Sequence, residues 1–227
     1  VKYTIDLARI LSCLPGPEYR TISTVAGGYG PQTRDQETRA RMAQNMGRVA
    51  RALHEIADET GVKIRLCLEP EPWTTLETTP EVIEFFDRWI HPLGTDAEEH
   101  LGLCYDCCHQ AVYFEDVAES IQALRTNGVV IGKVQVSSAL HISDPGNPAI
   151  RQALLKYAEP RYLHQVAALG SGGVLRARDL ADLVNPSEEW RAAKAWRCHF
   201  HVPIWWRGDG ELETTRDDWE TAVKAIM

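Results

Sequence analysis

The chain has 227 residues, 44% hydrophobic and 25% charged, with 32 acids against 24 bases and a net charge of −8. That is globular composition with chain enough for a real core. The acidic balance and the lack of a basic stripe argue against a nucleic-acid partner. No apolar run approaches the roughly 20 residues of a membrane span, and no polybasic patch suits a membrane surface. A small-molecule ligand or a protein partner fits better.

The first residues, VKYTIDLARILS, carry an acid and an arginine within the apolar stretch and no small-residue cleavage site, so they do not read as a secretory signal. There is no initiator Met, and a longer parent chain is expected. The six cysteines are not spaced like a secreted disulfide framework, which points to a reducing cytoplasm.

Residues 4–14 place Leu7, Ile10, Leu11 and Leu14 at helical spacing, and Pro15-Gly16-Pro17 ends that helix. Arg20 to Gly27 is β-branched and runs into the glycine-dense GGYG, a strand followed by a flexible loop. Residues 35–60 predict a long helix with Met42, Met46, Val49, Leu53 and Ile56 on one face and Gly61 as its stop. KIRLCLE is a short buried strand halted by Pro70 and Pro72. Thr79 is the expected cap of a helix from Pro80 to Ile90. LGLCYD is the next strand, residues 114–128 a helix, and VVIGKVQVSS a strand. The stretch 141–190 breaks the pattern, with a turn-rich loop, short helices and a strand-like YLHQVAAL. AWRCHFHVPIWW is a strong strand, and Thr214 to Met227 a last helix.

Strands alternating with crossover helices mean a parallel sheet, and the uniformly apolar strands agree. Five barrel-type strands are too few to close eight. The expected fold is therefore α/β, an incomplete (β/α)8 TIM barrel in one domain over residues 1–227, with 141–190 as an insertion between barrel strands.

The C-terminal ends of such strands carry the chemistry. Glu69 ends the second visible strand. Asp106 ends the third, with His109 three residues on, and Gln135 lies in the fourth. His199 and His201, two apart in the last strand, share a face. Carboxylates and imidazoles converging at one end suit a divalent metal, Mg²⁺ or Mn²⁺ by the oxygens and Zn²⁺ or Fe²⁺ by the imidazoles. Each residue also has a plainer reading: Glu69 as a solvated acid, Gln135 as a buried hydrogen-bonded amide, the histidines as core groups. His164 and Gln165, inside the insertion, read as structural. Glu71 and Lys133 are the candidates for moving a proton, against readings as a loop acid and a paired lysine. A rival centre is a structural zinc site from Cys104, Cys107, Cys108 and His109, which Cys198 and His199 could complete, although its first cysteine is inside an apolar strand. Of the adjacent Trp205 and Trp206, one is expected in the core and the other over the pocket.

LCLEPEP, CYDCCHQAV, KVQVSSAL, YLHQV and HFHVP, in this order, resemble the EboE-type metabolite traffic proteins of the xylose-isomerase-like TIM-barrel superfamily. The resemblance implies that the chain holds barrel strands three to seven, with metal ligands Glu69, Asp106, His109, Gln135, His199 and His201. Gln135 stands where a histidine is common, and no residue before Met227 matches the acid of the eighth strand. It further implies the handling of a small metabolite in a traffic or export pathway. If the protein is an enzyme, the resemblance implies a metal-dependent isomerase or epimerase, acting on a sugar or sugar phosphate in one version. A non-catalytic binding or scaffold protein is the alternative from another class. A nuclease for abasic DNA also exists in the superfamily and fits the acidic charge worst.

Overall fold

A computed structural model describes residues 1–227. They fall into two units: Val1–Tyr105 with Gln122–Val134, and Asp106–Ile121 with Gln135–Met227. No helix is long and apolar enough to cross a membrane.

The first unit opens with α1 (Lys2–Cys13), β1 (Tyr19–Val25), the single turn α2 (Gly30–Thr33) and α3 (Gln36–Thr60). Both ends of α3 follow from sequence. Asp35 accepts the Thr38 N–H at 2.8 Å. Gly61 stops the helix at φ +73°, a conformation that costs a residue with a Cβ. Its buried face is Ala43, Met46, Val49, Ala50, Leu53 and Ile56, close to the predicted stripe. Helix α1 forms where the spacing places it; Ala8 is its buried residue, while Ile10 and, just past its end, Leu14 are exposed.

β2 (Lys63–Glu69), α4 (Thr79–Phe85), a π-helical turn (Phe86–Ile90), α5 (Thr95–His100), β3 (Leu101–Asp106) and β4 (Ile131–Gln135) complete the unit. The sheet order is β1-β2-β3-β4. β1 pairs parallel with β2 from Tyr19 opposite Lys63 to Val25 opposite Glu69, and β2 pairs parallel with β3. Ile64 to Leu68 and all of β3 are buried, as expected for strands covered on both faces. The cap of α4 is Thr78, one residue before the predicted Thr79. The Glu81 carboxylate reaches back to the Glu77 and Thr78 N–H groups at 2.8 and 3.2 Å, which fixes the start there. The loop after β1 is held rather than free. Gly28 N–H donates to Thr75 Oγ1 at 3.2 Å and Gly30 N–H to the Trp73 carbonyl at 2.8 Å.

The second unit contains α6 (Cys107–Val112), the first half of α7 (Val117–Thr126), β5 (Ser138–Ile142), α8 (Pro148–Leu155), β6 (Val166–Gly170), β7 (Gly173–Ala177), α9 (Glu188–Arg191), β8 (Trp196–Val202), β9 (Glu213–Thr214) and α10 (Arg216–Ile226). Its sheet runs β7-β6-β8-β5-β9. β8 pairs antiparallel with both β5 and β6, which corrects its expected place as a parallel barrel strand. The reason is in its sequence. WRCHFHV alternates: Trp196, Cys198 and Val202 are buried on one face, and Arg197, His199 and His201 lie on the other. One covered face is the pattern of an antiparallel strand. Residues of the 141–190 stretch supply its partner, the β6–β7 hairpin. VVIGKVQVSS, expected as one strand, is two, β4 and β5, parted at Val136 and Ser137.

Trp196 centres the core of this unit with Leu140, Ile142, Leu154, Val166 and Leu180, its indole N–H donating to the Trp190 carbonyl at 2.9 Å. Trp206 packs on that core, and Trp205 is 74% exposed.

Candidate metal centre

Asp106 is both the last residue of β3 and the N-cap of α6. Its Oδ1 accepts the N–H of Cys108 at 2.9 Å and of His109 at 3.1 Å. Ser137 Oγ donates to the same oxygen at 2.7 Å, and Gln135 Nε2 donates to Oδ2 at 3.1 Å. A carboxylate only 1% exposed requires such donors. The Asp-x-x-His spacing thus carries His109 on the first turn of a helix that Asp106 itself starts.

His109 meets the two histidines of β8. Its ring centroid lies 4.6 Å from that of His199 and 5.4 Å from that of His201, both edge to face. Nε2 of His201 lies 3.4 Å from Nε2 of His109. His199 Nδ1 lies 2.7 Å from Gln165 Oε1. That oxygen only accepts, so Nδ1 carries the proton and Nε2 keeps its lone pair. Burial holds the His199 pKa well below the ordinary value, helped by the neighbouring His109, His201 and His164. The imidazole is therefore neutral at pH 7, the form that binds a metal.

The donor atoms of Asp106, His109 and His201 lie within 4.8 Å of one another, as do those of Cys108, His199 and His201. These residues fit a divalent ion. Zinc–nitrogen bonds of about 2.0–2.1 Å at a tetrahedral angle place two ligand nitrogens roughly 3.3–3.4 Å apart, the spacing found between His109 and His201. Two imidazoles and one carboxylate, with His199 next to them, favour zinc, manganese or iron over magnesium. Gln165 supplies the second hydrogen bond that orients a ligating histidine.

The cysteine-centred alternative is assembled only in part: Cys108 gathers with His199, while Cys104, Cys107 and Cys198 stand in no group of close donors. Of the six cysteines only Cys108 enters a cluster of close donors. Burial, with Asp106 nearby, raises its thiol pKa well above the ordinary range. Cys107 is pushed up to about 12 by burial, and Cys198 is raised for the same reason. Without a bound ion, buried thiols of this kind stay protonated.

Of the residues expected from sequence, Asp106, His109, Gln135, His199 and His201 come together in the second unit. Gln135 acts on Asp106 through its amide N–H. Glu69, at the end of β2, Glu71 and Lys133 belong to the first unit. There Lys133 Nζ donates to Ser23 Oγ at 2.9 Å, and the Glu71 N–H reaches the Leu76 carbonyl at 3.2 Å in a tight turn. Gln165, read as structural, orients His199. The anchoring role of Ser137 was also missed. The only sequence signal for Gln165 is its place just before the apolar VAALG.

The sequence matches the family model of the xylose isomerase-like TIM barrel over residues 11–188. The chain belongs to the xylose isomerase-like TIM barrel family. The matched region of this family member includes Asp106, His109, Gln135 and Gln165, while His199 and His201 lie beyond it. Among solved structures the chain is similar to the IolI protein, determined at 1.8 Å with a binding zinc atom. Identity is 16% and the TM-score 0.36, over 56% of this chain and 41% of that one. The similarity thus spans under half the length of IolI. Comparison with curated protein sequences finds no match.

Proposed function

We propose that this xylose isomerase-like chain acts on a small polar metabolite with a divalent metal held by His109, His199 and His201, assisted by Asp106. Cytoplasmic metabolite traffic of the EboE type is the setting, and isomerase- or epimerase-like proton transfer the reaction class. The observation that carries this is the 3.4 Å separation of the His109 and His201 Nε2 atoms beside a neutral, oriented His199. A bound ion at these nitrogens would polarise a carbonyl or hydroxyl and lower the pKa of a bound water. Gln165 keeps the His199 lone pair directed, and Asp106 fixes the turn that presents His109. His201, the exposed member, is the side from which a metabolite enters.

Metal analysis of the purified protein tests this first. One zinc, manganese or iron per chain at the cluster is expected, lost in His109→Ala with His201→Ala. A panel of aldoses, ketoses and their phosphates then tests turnover. Absence of divalent metal at this cluster would overturn the proposal.

A second reading, a non-catalytic binding or scaffold protein, is favoured by Gln135, whose amide N–H is spent on Asp106. Metal and ligand binding without turnover on any panel member would decide for it.

A further inference from the structure

His100 closes α5 immediately before β3 and is 1% exposed. Its Nδ1 lies 2.7 Å from the Ile64 carbonyl of β2. A carbonyl only accepts, so the proton is on Nδ1 and Nε2 keeps a free lone pair. Burial lowers the His100 pKa, which keeps the ring neutral. A carbonyl holding one nitrogen so that the other can ligate is the usual support of a metal-bound histidine.

The ring of His54, on α3, meets that of His100 edge to face, centroids 5.8 Å apart. Glu99 sits beside His100, and the donor atoms of His54, Glu99 and His100 all lie within 4.8 Å of one another. Glu99 Oε2 accepts from Lys63 Nζ at 3.1 Å, leaving Oε1. Hydrogen bonding and charge from Lys63 hold the Glu99 pKa down, so it is a carboxylate. Asp58 Oδ2 and Asp96 Oδ1 lie 3.7 and 3.8 Å from the two nitrogens of His54. Beside His54 these two carboxylates favour a cation, while Lys63 already holds one oxygen of Glu99.

We propose that His54, Glu99 and His100 form a second metal site, for a divalent ion of zinc-type chemistry, that clamps α3 to α5 at the start of β3. Two imidazoles and a carboxylate, with water completing the shell, select zinc, nickel or copper over magnesium or calcium. Closing the donors from within 4.8 Å to about 3.3 Å falls to turns of the half-exposed His54 and Glu99 side chains. The site shares no residue with the His109 cluster.

The test is calorimetric titration with Zn²⁺ alone, on the full chain carrying His109→Ala and His201→Ala to silence the other cluster. One ion per chain is expected. His54→Ala with Glu99→Gln should weaken it tenfold or more, and Zn²⁺ should then no longer raise Tm. A smaller weakening, or no binding before the pair is changed, overturns the proposal. If the silenced background does not fold, the same pair in the native chain must lower the zinc stoichiometry by one. An unchanged stoichiometry is equally fatal.

Discussion

Gln165 Oε1 accepts the Nδ1 proton of His199 across 2.7 Å, so one amide decides which nitrogen of a half-buried imidazole is available. Gln165→Leu removes that partner and lets the ring turn or change tautomer. Metal affinity at the cluster should fall by about 10–100-fold, the usual effect of losing an orienting partner. Gln165→Glu, which still accepts, should keep most of it. Competition against a chromogenic chelator reads the difference.

Ser137 holds the start of α6 from outside. Its hydroxyl donates to Asp106 Oδ1 at 2.7 Å and accepts the Cys108 N–H at 2.9 Å. Ser137→Ala leaves a buried carboxylate short of one donor, at a cost of about 1–3 kcal/mol. The urea midpoint should fall with the slope unchanged.

His141 is held below the ordinary histidine pKa, first by burial and then by Arg197, with Glu213 opposing. Its Nδ1 is buried without a hydrogen-bond partner. The stability linked to such a group is complete above the unfolded pKa, about 6.5. It is lost as pH falls towards the depressed folded value, because the unfolded chain takes up the proton first. The unfolding free energy of chelator-treated protein should therefore decline below about pH 6.5, and His141→Gln should flatten the decline. Denaturation at stepped pH measures both slopes.

Gly102 of β3 lies under Arg65, whose guanidinium donates to the Glu98 carbonyl at 2.9 Å and to that of Leu101. A Cβ there would stand 2.7 Å from the Val130 carbonyl oxygen and 2.9 Å from Arg65 Cδ. The backbone oxygen cannot swing aside. Gly102→Ala should cost about 1–3 kcal/mol, as overpacking does. Arg65→Met in the same chain should relieve only the side-chain part. Denaturant titration of the three variants checks this.

Local rules made much of this readable. Asp35 and Gly61 bound α3 because a side-chain cap and a left-handed glycine act within a few residues. The period of two put His199 and His201 on one face, and Asp-x-x-His put His109 on the turn that Asp106 opens. What failed needed partners distant in sequence. WRCHFHV alternates, and grouping it with the apolar strands before it hides its antiparallel pairing. Neither Gln165 opposite His199 nor Ser137 against Asp106 has a local signature, since each depends on which strands or turns meet. In α1, helical spacing could not say which side is covered.

Cys13 is exposed, whereas Cys67, Cys104, Cys107, Cys108 and Cys198 are buried. An alkylating reagent added to the native protein meets one accessible sulfur, and the others only when the chain opens. The chain therefore carries a built-in clock. Peptide mass spectrometry of timed labelling reads openings of the first unit at Cys67 and Cys104 and those of the second at the other three, with no engineered probe.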